Sequence, residues 1–144
     1  MFSQKNDCCK QIKCTNKFTS FSTKEVFTIF HKTNCRSTFV IYIMECDKCK
    51  NKQYIGKSEW PMNFRINKHR DDSKQTNSIP ICQHFSSSEH NFNRHARFTI
   101  IETLRDQTKP LLELRKNLES RENFWIKRMK TLQPQGFNQK LNKT

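Results

Sequence analysis

Thr38-Phe-Val-Ile-Tyr-Ile-Met44 is the stretch on which the fold turns. It is apolar at nearly every position and rich in β-branched and aromatic residues, so the alternation of a half-exposed strand is missing. Such a run predicts a central strand covered on both faces. A polar, turn-like segment follows, Glu45-Cys-Asp-Lys-Cys-Lys-Asn-Lys52, and then a second short strand, Gln53-Tyr-Ile-Gly-Lys57. A connection this short predicts antiparallel pairing of the two.

Working outward, Trp60-Pro-Met-Asn-Phe-Arg-Ile-Asn-Lys-His69 predicts a helix, with Ser58 or Glu59 near its cap and Pro61 in its first turn. Residues 71 to 80 read as a polar loop, and Arg97-Phe-Thr-Ile-Ile-Glu-Thr103 as a third strand. From Pro110 to about Leu132 the pattern is helical, with room for one break, and Pro134 and Gly136 are expected to end it. Upstream, Glu25-Val-Phe-Thr-Ile-Phe30 predicts an edge strand, and residues 1 to 24 an irregular polar extension. The expected architecture is α+β, a small three-stranded antiparallel sheet flanked by helices. It occupies residues 35–144, behind a basic, Cys-containing N-terminal extension over residues 1–34.

Composition narrows the partners. Twenty-seven Lys and Arg against thirteen Asp and Glu give a formal charge of +14 over 144 residues. Basic residues are spread along the chain, which suits a folded cationic surface that binds polyanions by releasing their counterions. The longest wholly apolar run, Phe39 to Met44, is far short of a membrane span, and the N-terminus lacks the apolar stretch of a signal peptide. The expectation is an intracellular protein without membrane association. Seven Cys (8, 9, 14, 35, 46, 49 and 82), an odd number, predict reduced thiols or metal ligands over a disulfide framework.

Leu118, Glu122, Trp125, Ile126 and Met129 fall on one helical face. A carboxylate among apolar neighbours is costly unless it is paired, for instance with Arg65, or coordinates a metal. Tyr42 and Tyr54 sit on the two paired strands, and Gly56 marks a bulge or a close backbone approach in the second. By themselves, two tyrosines in a hairpin are packing residues.

Taken in order, Val40-Ile-Tyr42, Tyr54-Ile-Gly56, Arg65, Glu122 within Arg-Glu-Asn-Phe-Trp-Ile126, and Asn138 closing Pro134-Gln-Gly-Phe-Asn138 resemble the motifs of the GIY-YIG nucleases. The similarity runs from about Cys35 to Asn142, with Val40 where the name motif has Gly. The texture of Thr38-Phe-Val-Ile-Tyr-Ile-Met-Glu-Cys-Asp-Lys-Cys49, Pro80-Ile-Cys-Gln-His-Phe85 and Trp125-Ile-Lys-Arg-Met-Lys-Thr131 is similar to one branch, the endonuclease domains of Penelope-like retroelements. That resemblance implies a zinc site of Cys46, Cys49, His84 and His90, stabilising the hairpin insertion. Cys-x2-Cys suits a tetrahedral ion, with two His completing it from another loop. His31, His95, Cys14 and Cys82 are reserve ligands, and Cys8, Cys9, Cys14 and Cys35 remain unassigned.

The resemblance also implies a chemistry. Glu122 would hold a catalytic Mg2+ (or Mn2+), and Tyr42 would act as general base or orient the attacking water. Lys57 or His69 would be the cation that lowers the Tyr42 pKa, and Arg65 would brace the phosphate. Tyr54 and Asn138 would position the substrate and the local backbone. His69 would share the helix face of Arg65, and Lys57, Arg65, Lys68 and Arg70 would contact DNA. It implies too a nuclear location and a reverse transcriptase domain in a longer parent protein, whereas oligomeric state is not legible. The alternatives are a non-catalytic, zinc-stabilised DNA-binding module and a basic RNA-associated protein.

Overall fold

The computed structural model describes residues 10–75 and 78–143, so Cys8 and Cys9 lie outside it. The chain folds as an α+β unit around a small antiparallel sheet. Its strands are β3 (Val40–Cys46), β4 (Gln53–Ser58) and β5 (Ala96–Thr103), in the order β4-β3-β5. β3 is buried at all seven positions, as its unbroken apolar run predicts. One face, carrying Val40, Tyr42 and Met44, packs against Met62 and Ile66 of α1 (Met62–Asp72) and Ile81 and Phe85 of α2 (Pro80–Phe85). The other, carrying Ile41, Ile43 and Ile55, packs against Leu118, Ile126 and Met129 of α4 (Leu111–Met129). A one-turn helix, α3 (Phe92–His95), leads into β5.

Several boundaries follow contacts that no local pattern announces. α1 starts at Met62 without a side-chain cap. Its first N–H groups donate instead to backbone carbonyls of a distant segment, Met62 to Ser37 and Asn63 to Cys35, which satisfies the orphan donors of a helix start. Ser58 serves the preceding turn, its hydroxyl accepting from the Trp60 N–H at 3.2 Å. α4 is unbroken and stops at Met129, three residues before the expected end, because Lys130 adopts a left-handed conformation (φ 53°) and the Thr131 N–H donates back to Ile126 O. Gly136 has a different task. A Cβ there would lie 2.3 Å from Thr131 O, so its bare backbone lets the chain fold tightly against the end of α4.

The N-terminal segment is more ordered than its composition suggests. β1 (Lys17–Thr19) and β2 (Val26–Thr28) form a separate antiparallel hairpin, so the expected strand near residue 26 exists but does not join the main sheet. Phe18 and Phe27 stack at 5.2 Å and both meet Trp125 of α4 edge-on. Residues 11–13 run beside β5, with the Phe98 N–H donating to Gln11 O and the Lys13 N–H to Phe98 O. Cys35 is disulfide-bonded, where the odd Cys count predicts reduced thiols or metal ligands, while Cys14, Cys46, Cys49 and Cys82 are free. Among the described residues, no helix is long and apolar enough to cross a membrane.

β3 and β4 pair so that Tyr42 faces Gly56 and Met44 faces Tyr54. The Tyr42 ring crosses the strand at Gly56 so closely that an added Cβ would sit 2.4 Å from both Cζ and Oη. A β-bulge in the β3–β5 pairing falls between Ile41 and Tyr42, at this same point. Substituting Gly56→Ala should therefore displace the ring and cost about 1–3 kcal/mol of stability, as overpacking does. Urea denaturation of the two proteins measures it, and an unchanged midpoint would refute the close approach.

Candidate active site and metal centre

Tyr42 is fully buried, yet its hydroxyl has two polar partners. It accepts a hydrogen bond from Arg65 Nε at 3.0 Å and lies 2.5 Å from His69 Nε2. Arg65 and His69 are four residues apart on α1, one turn, so both reach the same side of the helix. The His69 ring, 1 % exposed, sits among Tyr42, Tyr54 and Phe98 and stacks on Phe98 at 5.9 Å. Burial, with Arg65 and Lys68 nearby, pulls its pKa down to about 3. Burial likewise pushes the Tyr42 phenol up to about 12, against the opposing pull of Arg65. Tyr54 is also pushed upward, first by burial and then by Tyr42.

These directions correct one sequence expectation. His69 is neutral and cannot be the cation beside Tyr42. Lys57 is turned elsewhere, toward Glu122 and Asn142. The cation bonded to Tyr42 is Arg65. Between a weakly acidic phenol and a weakly basic imidazole the proton stays on Tyr42, and the tautomer of the neutral ring sets which of the two donates.

Glu122 lies on the buried face of α4, as its helical phase predicts, and is 7 % exposed. Its partner is not Arg65. Lys57 Nζ lies 3.4 Å from Oε1, and Asn142 Nδ2 donates to the same oxygen at 2.6 Å. Asn142 carries no sequence signal, being one more Asn in a polar tail. Its backbone N–H in turn donates to Asn123 Oδ1. Glu122, Tyr54, Lys57, Asn138 and Asn142 line a cleft of about 400 Å³ along β4. Tyr42 and Arg65 stand on the other face of the sheet, near enough for Glu122 to raise the pKa of both tyrosines.

Asn138 does not face the cleft with its amide free. Its Oδ1 accepts from the Ile55 N–H and its Nδ2 donates to Ile55 O, both at 2.9 Å. The side chain thus pairs with β4 as a neighbouring strand would, fixing the segment between Tyr54 and Gly56. Of the expected DNA contacts, Lys68 is exposed and pairs with Asp72. Arg70 is engaged inside the protein, by Asn67, Asn93 and Gln11 and over the ring of Phe92.

A second constellation lies at the far end of β3. Cys46, Cys49, His84 and His90 each offer a ligand atom, and all four atoms lie within 4.8 Å of one another. The turn after β3 folds Cys49 back beside Cys46, with the Lys50 N–H donating to Cys46 O and Lys50 at positive φ. α2 supplies His84 and the following loop His90. Cys49 Sγ and His90 Nε2 are 3.2 Å apart, close to the separation of about 3.5 Å that tetrahedral zinc imposes on a sulfur and a nitrogen ligand. His84 Nε2 is buried without a hydrogen-bond partner, a costly state that coordination would relieve. Ser87 Oγ, 2.9 Å from His90 Nδ1, is placed to fix that ring from behind. Desolvation, His90 and Lys52 hold the His84 pKa down to about 4, so the ring is in its neutral, ligating form. The cluster could hold a metal ion such as zinc. His95 is not part of it, its Nδ1 accepting from the Asn91 N–H.

Two measurements check these assignments. Co2+ titration should give one tetrahedral, thiolate-bound ion per chain, read from its visible absorption. Cys49→Ser or His90→Ala should remove that signal, and its survival in both would refute the ligand set. The buried His69 also makes stability depend on pH. Its pKa falls from 6.5 in the unfolded chain to about 3 when folded. Below 6.5 the unfolded state therefore takes up a proton that the folded state refuses. The stability is fully present above 6.5 and lost progressively as pH falls toward 3. Denaturation midpoints over that window should fall less steeply for His69→Gln than for the wild type, and parallel curves would contradict the buried neutral ring. No family model, curated protein or solved structure matches this chain.

Proposed function

We propose that the protein is a metal-dependent DNA endonuclease of the GIY-YIG type, akin to the endonuclease domain of Penelope-like retroelements, with a structural zinc in its Cys/His cluster. The observation that carries the proposal is the buried Arg65–Tyr42–His69 network, set beside a cleft that contains Glu122. A core tyrosine needs one partner for its hydroxyl. This one has two, and one of them is a guanidinium held beside a neutral imidazole, an arrangement that packing alone does not require.

Glu122 fits a catalytic cation. It is a shielded carboxylate lining an open cleft, and both of its partners share the single oxygen Oε1. Mg2+ characteristically uses one or two carboxylates and completes its shell with water and substrate phosphate. Mg2+ (or Mn2+) bound there would supply Lewis-acid stabilisation to the phosphate and the leaving oxygen. The chain's own groups do the rest. Tyr42, kept protonated by burial, orients the attacking water rather than ionising to remove its proton. Arg65 holds Tyr42 by Nε, which leaves the terminal nitrogens of its planar fork for a phosphate oxygen. Asn138 keeps the β4 backbone in place under Tyr54. Lys57 and the exposed Lys68 add to the positive field that attracts the DNA backbone.

On this reading the net charge of +14 serves a DNA substrate, the protein acts in the nucleus, and a reverse transcriptase domain accompanies it in a longer parent protein. A plasmid-nicking assay of the zinc-loaded protein tests the proposal. Supercoiled DNA should relax only with Mg2+ or Mn2+. Glu122→Ala should abolish nicking with little change in DNA affinity by gel shift, because the basic surface is untouched. Cleavage by Glu122→Ala would refute the metal assignment. A folded wild type that binds DNA without nicking it would replace the proposal with the zinc-stabilised binding module.

A further inference from the structure

Cys82 lies on α2, and the hairpin packing and the metal cluster leave it without a task. It is fully buried. Its Sγ is 3.5 Å from His69 Nδ1, and its S–H donates to the His69 carbonyl at 3.8 Å. His69 therefore has a partner at each ring nitrogen, Tyr42 Oη at Nε2 and Cys82 Sγ at Nδ1.

The hydrogens of this chain can be counted. Arg65 can only donate, so Tyr42 Oη accepts from it and must send its own hydrogen elsewhere. His69 Nε2 receives that hydrogen only if it is unprotonated. A neutral imidazole then carries its proton on Nδ1, which needs an acceptor inside the core. Cys82 sulfur is that acceptor, and the thiol hydrogen is satisfied by the carbonyl of the same histidine. Every member has a partner when the chain runs from Arg65 to Tyr42 to His69 to Cys82 to the His69 carbonyl, which also accepts from the Ser73 N–H and hydroxyl. The reverse direction leaves the Tyr42 hydrogen without an acceptor among the described residues.

We propose that Cys82 is a positioning residue that selects the Nδ1–H tautomer of His69, and thereby turns the Tyr42 hydrogen inward, so that Tyr42 meets an incoming water as an acceptor rather than as a donor. The catalytic half of this statement rests on the nuclease proposal, whereas the tautomer does not. Removing the sulfur would leave a buried Nδ1–H without an acceptor, a costly state in a core. The ring escapes that cost by moving its proton to Nε2, where Tyr42 Oη can accept it. The Tyr42 hydrogen must then turn away from His69.

Long-range 1H–15N correlation spectra of the imidazole rings, recorded on the full metal-loaded chain at neutral pH, read the tautomer directly. Wild type should show His69 protonated at Nδ1. Cys82→Ala should shift it to Nε2–H, and Cys82→Ser, whose hydroxyl both accepts and donates, should restore Nδ1–H. An Nε2–H pattern in the wild type would overturn the proposal without recourse to any variant, as would an unshifted Nδ1–H in Cys82→Ala. In a wild type that nicks DNA, Cys82→Ala should lower kcat by about tenfold or more with KM unchanged, and Cys82→Ser should recover the rate. An unchanged kcat beside a shifted tautomer would overturn the catalytic half. If the wild type does not nick, the nuclease proposal falls and the spectra still decide the tautomer.

Discussion

The Tyr42 ring rests on a strand that has no side chain beneath it. Because Gly56 leaves room, the phenol can lie across β4, reach the α1 side of the sheet, and present its hydroxyl to Arg65 and His69 at once. Most of the site is arranged around that hydroxyl. Arg65 and His69 stand one helical turn apart to meet it, Cys82 faces the far nitrogen of His69, and the β3–β5 bulge falls beside it. A methyl group at position 56 would disturb all of these together. The constraint is steric at its origin and electrostatic in its consequences, since burial of this one ring and its neighbour holds a phenol and an imidazole neutral.

The same strand connects the two constellations. β3 carries Tyr42 near its middle and Cys46 at its end, and α2 carries Cys82 and His84 two residues apart. The Cys/His cluster and the tyrosine network therefore share both a strand and a short helix. α2 has only six residues and no side-chain N-cap, too little to hold itself in place by local hydrogen bonding. Its position comes from what it touches, the sheet through Ile81 and Phe85 and the cluster through His84. An ion in the cluster would add binding free energy to that anchorage.

What could be read from the sequence was what depends on neighbours along the chain. The unbroken apolar run of β3 identifies a covered central strand, and a lone carboxylate in the apolar phase of α4 identifies Glu122. The Cys46–Cys49 spacing identifies half of a metal cluster. What could not be read depends on residues distant in the sequence. Nothing local at Cys82 says that it faces His69, thirteen positions earlier, and nothing in the Asn-rich tail singles out Asn142 as the partner of Glu122. The end of α4 carries no sequence signal because a lysine takes the left-handed conformation that glycine usually marks. Position along the chain makes Lys57 or His69 the candidate cation for lowering the Tyr42 pKa, because it shows neither that Lys57 turns to Glu122 and Asn142 nor that the His69 ring is buried and neutral.

The chain on either side of the sheet has a further consequence. Residues 11–13 occupy the outer edge of β5 at Phe98, and the opposite edge, along β4, is engaged by the Phe137 N–H at Gln53 O and by the Asn138 amide at Ile55. An open strand edge is a template on which a second chain can add its own strand, the usual start of runaway self-association in small β-containing proteins. Here both templates are blocked at mid-length, one by an irregular leader and the other by a single side-chain amide that imitates a peptide group. Asn138 thus does for the β4 edge what a capping residue does for a helix end, and the sheet stops at three strands.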